Sequence, residues 1–216
     1  MTRAAQENRE RRRHGLTGAH TTRPIESTEM VRRWLDIAKE HDKNAPARGG
    51  ASWYLLLVIG FNTGLRISDI IPLRVEDIRG REYLTTIEAK TDKERRVFIR
   101  RDVGKRIDEL LDGMDPLAYV LPSRKKDPAT GEPRHISRQR AYAIIREIAR
   151  RSGYTDHVGC HTMRKTYAWS LFDASGDNIV LVMKALNHSS QAATMRYLGI
   201  DQKDIDEAAA RMRRML

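Results

Sequence analysis

The chain of 216 residues has one cysteine, Cys160, which excludes a disulfide framework and a metal centre built on several thiolates. It also lacks a long apolar run. The longest, Trp53 to Ile59, is far too short to span a bilayer, and Gly60 and Phe61 barely extend it. The N-terminus mixes acidic and basic residues where an export signal needs an apolar core. Acidic residues are outnumbered, 29 against 40 Lys and Arg, leaving a formal charge of +11. A surplus of that size favours a polyanionic partner. With 40% apolar residues and 14 glycines there is material for a real core and one or two domains. The expectation is a soluble cytoplasmic protein, nucleoid-associated when acting, with no membrane partner.

Residues 1–23 hold almost no large apolar side chain and read as a basic, flexible tail. Its Arg11, Arg12 and Arg13 either neutralise phosphates or form a solubilising arm. An amphipathic helix follows within 24–44, with Met30, Val31, Trp34, Leu35 and Ile37 on its apolar face and Ser27 or Thr28 as its cap. The segment Asn44 to Gly50 is a loop. A strongly apolar helix runs from about Ser52 to Asn62 and stops at Thr63-Gly64, and Ser68 is placed to cap a short helix ending near Pro72. The period then turns alternating. Glu82 to Ala89 and Arg95 to Ile99 read as strands of a hairpin with a polar turn, with short strands also expected at Val75 to Ile78 and Tyr119 to Leu121. Helices are expected at Val103 to Leu111, Ser137 to Arg151, Thr162 to Ala174, Asn178 to Leu186, Gln191 to Leu198 and Lys203 to Arg214. Gly153, Gly176 and Gly199 stand at helix stops, and Asp177 is placed as a cap. Trp34, Trp53 and Trp169 read as core.

The chemistry gathers between Gly159 and Tyr197. His161 and Arg164 are three apart at a helix start, so both point into one space. His188 stands ahead of another helix, and Tyr197 lies nine residues beyond it. Upstream, Arg66 sits in a break between helices and Lys90 at the mouth of the hairpin. Two arginines can clamp the non-bridging oxygens of a phosphodiester through paired donors and favour charge developing on a phosphorane. Cys160 has no base placed for it and reads as a small buried apolar residue.

The stretches TGLRISDI (63–70), KTDKERRV (90–97), HTMR (161–164), LNHSS (186–190) and MRYL (195–198) resemble, in order and local spacing, the boxes of the tyrosine recombinases, the family of the phage integrases. The resemblance spans about residues 24–200. It implies an α+β, mostly helical fold, with a small antiparallel hairpin packed on a helical body. It also implies a catalytic set of Arg66, Lys90, His161, Arg164, His188 and Tyr197, supported by Asp69. In that family Tyr197 would attack a DNA phosphodiester to give a 3′-phosphotyrosine and a free 5′-hydroxyl. His161 would accept the tyrosine proton, Lys90 would protonate the leaving oxygen, and His188 would donate to a non-bridging oxygen. Neither cofactor nor metal is called for, and the partners are double-stranded DNA with a specific site and a homo-tetramer on two duplexes. Lys93, three residues on, competes with Lys90 for the role of acid.

Two departures from the family pattern stand in the boxes. Asn187 replaces the usual glycine before the second histidine, and Met163 replaces leucine before Arg164. Asparagine tolerates unusual backbone angles, so the site is expected to survive. Only about 65 residues precede Arg66, too few for a full DNA-gripping domain, an arrangement resembling the short fimbrial-type inverting recombinases. Either the arginine tail grips DNA in part or an accessory DNA-binding protein does. Candidate backbone-phosphate contacts are Arg95, Arg96, Arg124, Lys125, Lys126 and Arg138, with Arg134 and Arg140, although charge runs are as often solvated faces. Residues 201–216 form a helix that packs on its own body or passes to a neighbouring protomer. Integration, excision and inversion all fit, and the competing functions are a type IB-like topoisomerase and a non-catalytic DNA-binding regulator.

Overall fold

The computed structural model describes residues 22–44, 50–89 and 92–198, together with Asp206, Ala209, Ala210 and Met212. In chain order the elements are α1 (Thr28–Asn44), α2 (Trp53–Thr63), α3 (Ile67–Ile70), α4 (Val75–Ile78), β1 (Tyr83–Ile87), β2 (Glu94–Phe98), α5 (Arg101–Leu110), α6 (Arg138–Ser152), α7 (Thr162–Ala174), α8 (Ile179–Ala185) and α9 (Gln191–Leu198). The expected tail residues 1–21, part of the loop after Asn44, Lys90, Gly199 and most of the expected 203–214 helix lie outside the described residues. Among the described residues no helix is long and apolar enough to cross a membrane.

α2 is apolar on every side, and a helix of that kind must be buried all round. Trp53, Leu55 to Ile59 and Phe61 are all buried, each such aliphatic side chain contributing about 1.5–3 kcal/mol. α1, α5 and α7 pack around α2, and α6 lies against α1. Asp42, near the end of α1, sets the start of α2. Its carboxylate accepts from Ser52 Oγ at 2.6 Å and from the amides of Trp53 and Tyr54 at 3.1 and 3.0 Å, while Ser52 Oγ accepts from Leu55 N at 2.9 Å.

The approach of α7 to α2 depends on two glycines one turn apart. A Cβ on Gly60 would stand 2.4 Å from Met163 Sδ, and one on Gly64 would stand 2.2 Å from the Tyr167 ring. Gly64 also has φ +57°, where it ends α2. A smaller cluster of Ala168, Val182, Leu186 and Leu198 joins α7, α8 and α9, with the Tyr197 ring packed against it.

The hairpin pairs Tyr83 with Phe98, Thr85 with Arg96 and Ile87 with Glu94 on its outer face. Leu84, Glu88, Arg95 and Val97 are buried on the inner one. Ser27 caps α1, accepting from Met30 N at 3.1 Å, and α7 and α9 have the expected bounds. Gly153 and Gly176 take φ +73° and +64° at the ends of α6 and α7.

Several expectations need correction. Val75–Ile78 is a helix, not a strand: Asp77 Oδ2 accepts from Arg74 N at 2.7 Å, and Glu76 and Asp77 suit the positive end of a helix dipole. Tyr119 makes an isolated bridge to Arg74 in place of a strand. The cap position of α3 is Arg66, and Ser68 lies inside that helix with its hydroxyl 3.3 Å from Asp69 Oδ1. Asn178, not Asp177, caps α8 by accepting from Val180 and Leu181 amides, while Asp177 takes φ +63° in the turn before it. Within the expected tail Thr22 is half-buried and its carbonyl accepts from Lys165 Nζ, and just beyond it Ile25 N donates to Thr166 Oγ1 at 2.9 Å. Trp34 and Trp53 are buried, whereas Trp169 and Cys160 are only half-buried.

Candidate active site

The site forms where two helix C-termini meet. The last carbonyls of a helix carry partial negative charge and attract cations. Gly64 O, at the end of α2, accepts from Arg164 Nη1 at 2.7 Å and from Arg95 Nη1 at 3.0 Å. Leu186 O, at the end of α8, accepts from Arg164 Nη2 at 2.7 Å. Arg164 is fully buried and staples the main body to the smaller cluster. Its pKa is lowered to about 10, by burial first and then by Arg95 and Arg66, so it stays charged at neutral pH.

Arg66 arrives from the break after α2. Its partner is an acid that the motifs do not include: Glu88 Oε1 lies 2.7 Å from Arg66 Nη1, 3.7 Å from Arg95 and 3.9 Å from Arg164. Glu88 is fully buried. Asp69, also buried, accepts from Ala89 N at 3.1 Å and so pins the segment leading to Lys90.

Arg95 corrects an expectation. As a candidate DNA-backbone contact it would need to reach solvent, but it is 5% exposed and gives both Nη groups to the carbonyls of Thr63 and Gly64. Strand parity accounts for this, because Arg95 shares the inner face with Val97. Its neighbour Arg96 points outward, with its guanidinium 3.8 Å from the Tyr83 ring centroid.

Tyr197 reaches the same place from α9. Its hydroxyl is 3.0 Å from His161 Nδ1, its ring centroid is 4.8 Å from that of His188, and Arg164 Cζ lies 5.8 Å from the ring centre. Tyr197 is half-buried, so its oxygen is not lost to the apolar interior. Thr194, one turn earlier, holds His188 Nδ1 at 3.1 Å. Asn187 takes φ +55° directly before His188, the left-handed conformation that explains why glycine suits this position and asparagine is tolerated. Met163 fills its apolar slot with 1% exposure.

Both imidazoles are neutral at pH 7. Burial, then Arg164 and Arg138, lowers His161, while burial, then Arg164 and Arg66, lowers His188 to about 4. A neutral His161 protonated on Nε2 can accept the Tyr197 proton at Nδ1.

Of the residues expected at the site, Arg66, Asp69, His161, Arg164, His188 and Tyr197 converge, and Lys90 lies outside the described residues. Lys93 is exposed, and its carbonyl accepts from Glu88 N at 2.9 Å across the hairpin mouth. Arg124, Lys125 and Lys126 are exposed, and the first two line a groove of about 900 Å³ together with Arg134 and Arg140. Arg138 is exposed beside His161 in a neighbouring depression.

The model of the phage integrase family matches residues 29–204. A probable integrase/recombinase from Bacillus subtilis, YoeC, is 36% identical over 183 residues, covering 85% of this chain and 92% of its own. The chain belongs to the phage integrase family. The tyrosine recombinase XerC of Thermodesulfovibrio yellowstonii is 27% identical over 159 residues, or 70% of this chain and 51% of that one. This phage integrase homologue thus spans about half the length of its XerC relative. Among solved structures its fold is similar to that of XerA recombinase (TM-score 0.65, 20% identity, 91% of this chain and 66% of that one). It is also similar to the catalytic domain of bacteriophage HP1 integrase (TM-score 0.55, 18% identity, 88% and 95%).

Proposed function

We propose that this protein is a site-specific DNA recombinase that cuts and rejoins strands through a 3′-phosphotyrosine on Tyr197. The observation that carries the reading is the Tyr197 hydroxyl 3.0 Å from His161 Nδ1, with the ring close to Arg164, which shares Glu88 with Arg66. In the cleavage step the Tyr197 oxygen bonds to phosphorus, the bond to the 5′ oxygen breaks, and His161 takes the tyrosine proton. Arg66, the less buried of the two, meets the charge that builds on the non-bridging oxygens, and Arg164, whose Nη groups are held by the Gly64 and Leu186 carbonyls, adds its positive charge from behind. His188, held at Nδ1 by the Thr194 hydroxyl 3.1 Å away, donates to one of those oxygens from Nε2 when it carries its proton there. A lysine of the hairpin turn, Lys90 with Lys93 as the alternative, protonates the departing 5′ oxygen. Attack by a 5′-hydroxyl from a second duplex reverses the step and reseals the strand without an external energy source.

The partner is double-stranded DNA carrying a specific site, and the working assembly is a homo-tetramer on two duplexes. Exposed Arg96, Arg124, Lys125, Lys126 and Arg138 hold the backbone, with an accessory protein as a further source of grip. Residues 24–200 act as the catalytic unit, the tail adds charge, and residues 201–216 pack in cis or in trans.

The test is a pool of nicked duplexes with randomised sequence around the nick, which traps the enzyme once the short 3′ fragment diffuses away. Covalently bound DNA is recovered and sequenced. An adduct abolished by Tyr197→Phe, and kept when Tyr54, Tyr83, Tyr119, Tyr142, Tyr154 or Tyr167 is changed to Phe, supports the reading. An adduct that survives Tyr197→Phe overturns it. Relaxation of supercoiled DNA without sequence preference would point to topoisomerase activity.

A further inference from the structure

Glu88 has no part in the chemistry above and stands in none of the motif positions, yet it is the hub of the arginine cluster. A carboxylate withdrawn from water is costly unless charges of opposite sign surround it. Three do, at 2.7 Å (Arg66), 3.7 Å (Arg95) and 3.9 Å (Arg164). The three contacts are unequal in kind. Arg95 and Arg164 have carbonyls of their own, Thr63, Gly64 and Leu186, and would keep their places without Glu88. Arg66 starts α3 with no side-chain cap bond, and among the described residues its ion-pair partner is Glu88.

We infer that Glu88 is a positioning residue for strand cleavage, holding the Arg66 guanidinium in the phosphate clamp and setting the clamp's net charge. This rests on the proposed function, in which Arg66 binds the scissile phosphate. Of the three buried or nearly buried guanidinium charges around it, Glu88 cancels one, which lowers the net positive charge that meets the phosphodiester. The backbone of Glu88 serves the same end. Its N–H donates to Lys93 O and its carbonyl accepts from Asp92 N, both at 2.9 Å, so one residue ties the clamp to the base of the turn that carries the candidate acids.

The experiment uses full-length protein and the duplex recovered by the wild type from the randomised pool. Adduct formation is timed in single turnover at saturating DNA, and Kd is measured in the Tyr197→Phe background. Glu88→Gln keeps the shape and removes the charge. It should slow adduct formation by about 30-fold or more while leaving Kd within about threefold, because an orienting contact acts in the transition state more than in binding. Glu88→Asp should restore part of the rate. If Glu88 works through Arg66, adding Glu88→Gln to Arg66→Lys should slow the single Arg66→Lys variant by no more than about threefold. A Glu88→Gln rate equal to wild type, a loss of Kd matching the loss of rate, or fully multiplicative effects with Arg66→Lys would each overturn the inference. Should Glu88→Gln fail to fold, Glu88→Asp decides: a rate at least about fivefold down at unchanged Kd supports it, and wild-type behaviour overturns it. A wild type that forms no adduct with any duplex removes the functional reading, and this inference falls with it.

Discussion

Gly64→Ala tests how tightly the site depends on helix approach. Two penalties act at once. A left-handed backbone costs a residue with a Cβ about 1–2 kcal/mol, and Gly64 has φ +57°. The added Cβ would also stand 2.2 Å from Cδ1 of Tyr167, a rigid ring, where overpacking costs about 1–3 kcal/mol. Restricting the unfolded chain returns about 0.4–1 kcal/mol. The expected net loss is about 2–4 kcal/mol, a large fraction of a stability of about 5–15 kcal/mol. Denaturant titration at constant m measures it. In a Tyr167→Ala background the clash is gone, so Gly64→Ala should cost only about 1 kcal/mol there. The carbonyl of Gly64 also holds Arg164 and Arg95, so adduct formation should fall further than DNA affinity. A loss below about 1 kcal/mol in the wild-type background, or the same loss in both backgrounds, would refute the packing argument.

Asn187→Gly should be neutral or slightly stabilising, and Asn187→Val should cost more than about 1 kcal/mol and slow adduct formation, since a β-branched residue resists φ +55°; thermal melts and adduct rates check both. Arg95→Ala should lower stability by about 3–5 kcal/mol, because it removes the Thr63 carbonyl's guanidinium partner, leaves Gly64 O to Arg164 alone and leaves Glu88 with one fewer cation. Arg96→Ala should change stability by less than about 0.5 kcal/mol and weaken DNA binding, read by melts and salt titration together. His188 is held down to about 4 against an ordinary 6.5, so between those values the unfolded chain takes up a proton the folded one refuses. The stability from this ring is complete above about pH 6.5 and drains away as pH falls toward 4, by about 1–2 kcal/mol once solvent screening is discounted. His188→Gln should flatten that part of the pH–stability curve.

The legible parts of the fold were those with a local cause. Apolar periodicity and caps located α7, α9 and the ends of α2, and the box spacing brought Arg66, His161, Arg164, His188 and Tyr197 to one place. Val75–Ile78 misled because two apolar residues three apart fit a helical turn as well as a strand end, and the deciding bond from Arg74 N to Asp77 is a side-chain matter. Glu88 and Arg95 were within reach of strand parity: Leu84, Thr86 and Glu88 alternate along one face, and Arg95 faces Thr86 across the register. An acid and a base on the core face of a hairpin imply a buried pair, but the run Glu94-Arg95-Arg96 reads first as surface charge. The need for glycine at 60 and 64 was out of reach, since Met163 and Tyr167 approach from about a hundred residues away and leave no local trace.

The placement of the arginines also answers how a site this charged can be built before its substrate arrives. Lone surface arginines would have to be ordered by the phosphate, at a cost in side-chain freedom for each. Here the ordering comes from the protein: the carbonyl ends of α2 and α8 fix Arg164, the Thr63 and Gly64 carbonyls fix Arg95, and Glu88 fixes Arg66. Positive charges already fixed in place do not reorganise as negative charge develops, which is the condition under which they lower a barrier most. The same anchors make the cluster intolerant of backbone shifts, so a change as small as one methyl group at Gly64 reaches both arginines that bind its carbonyl. Stability and chemistry are therefore coupled through one peptide unit at the end of α2, and in a Tyr167→Ala background, where the clash is gone, Gly64→Ala should slow adduct formation little beyond Tyr167→Ala alone.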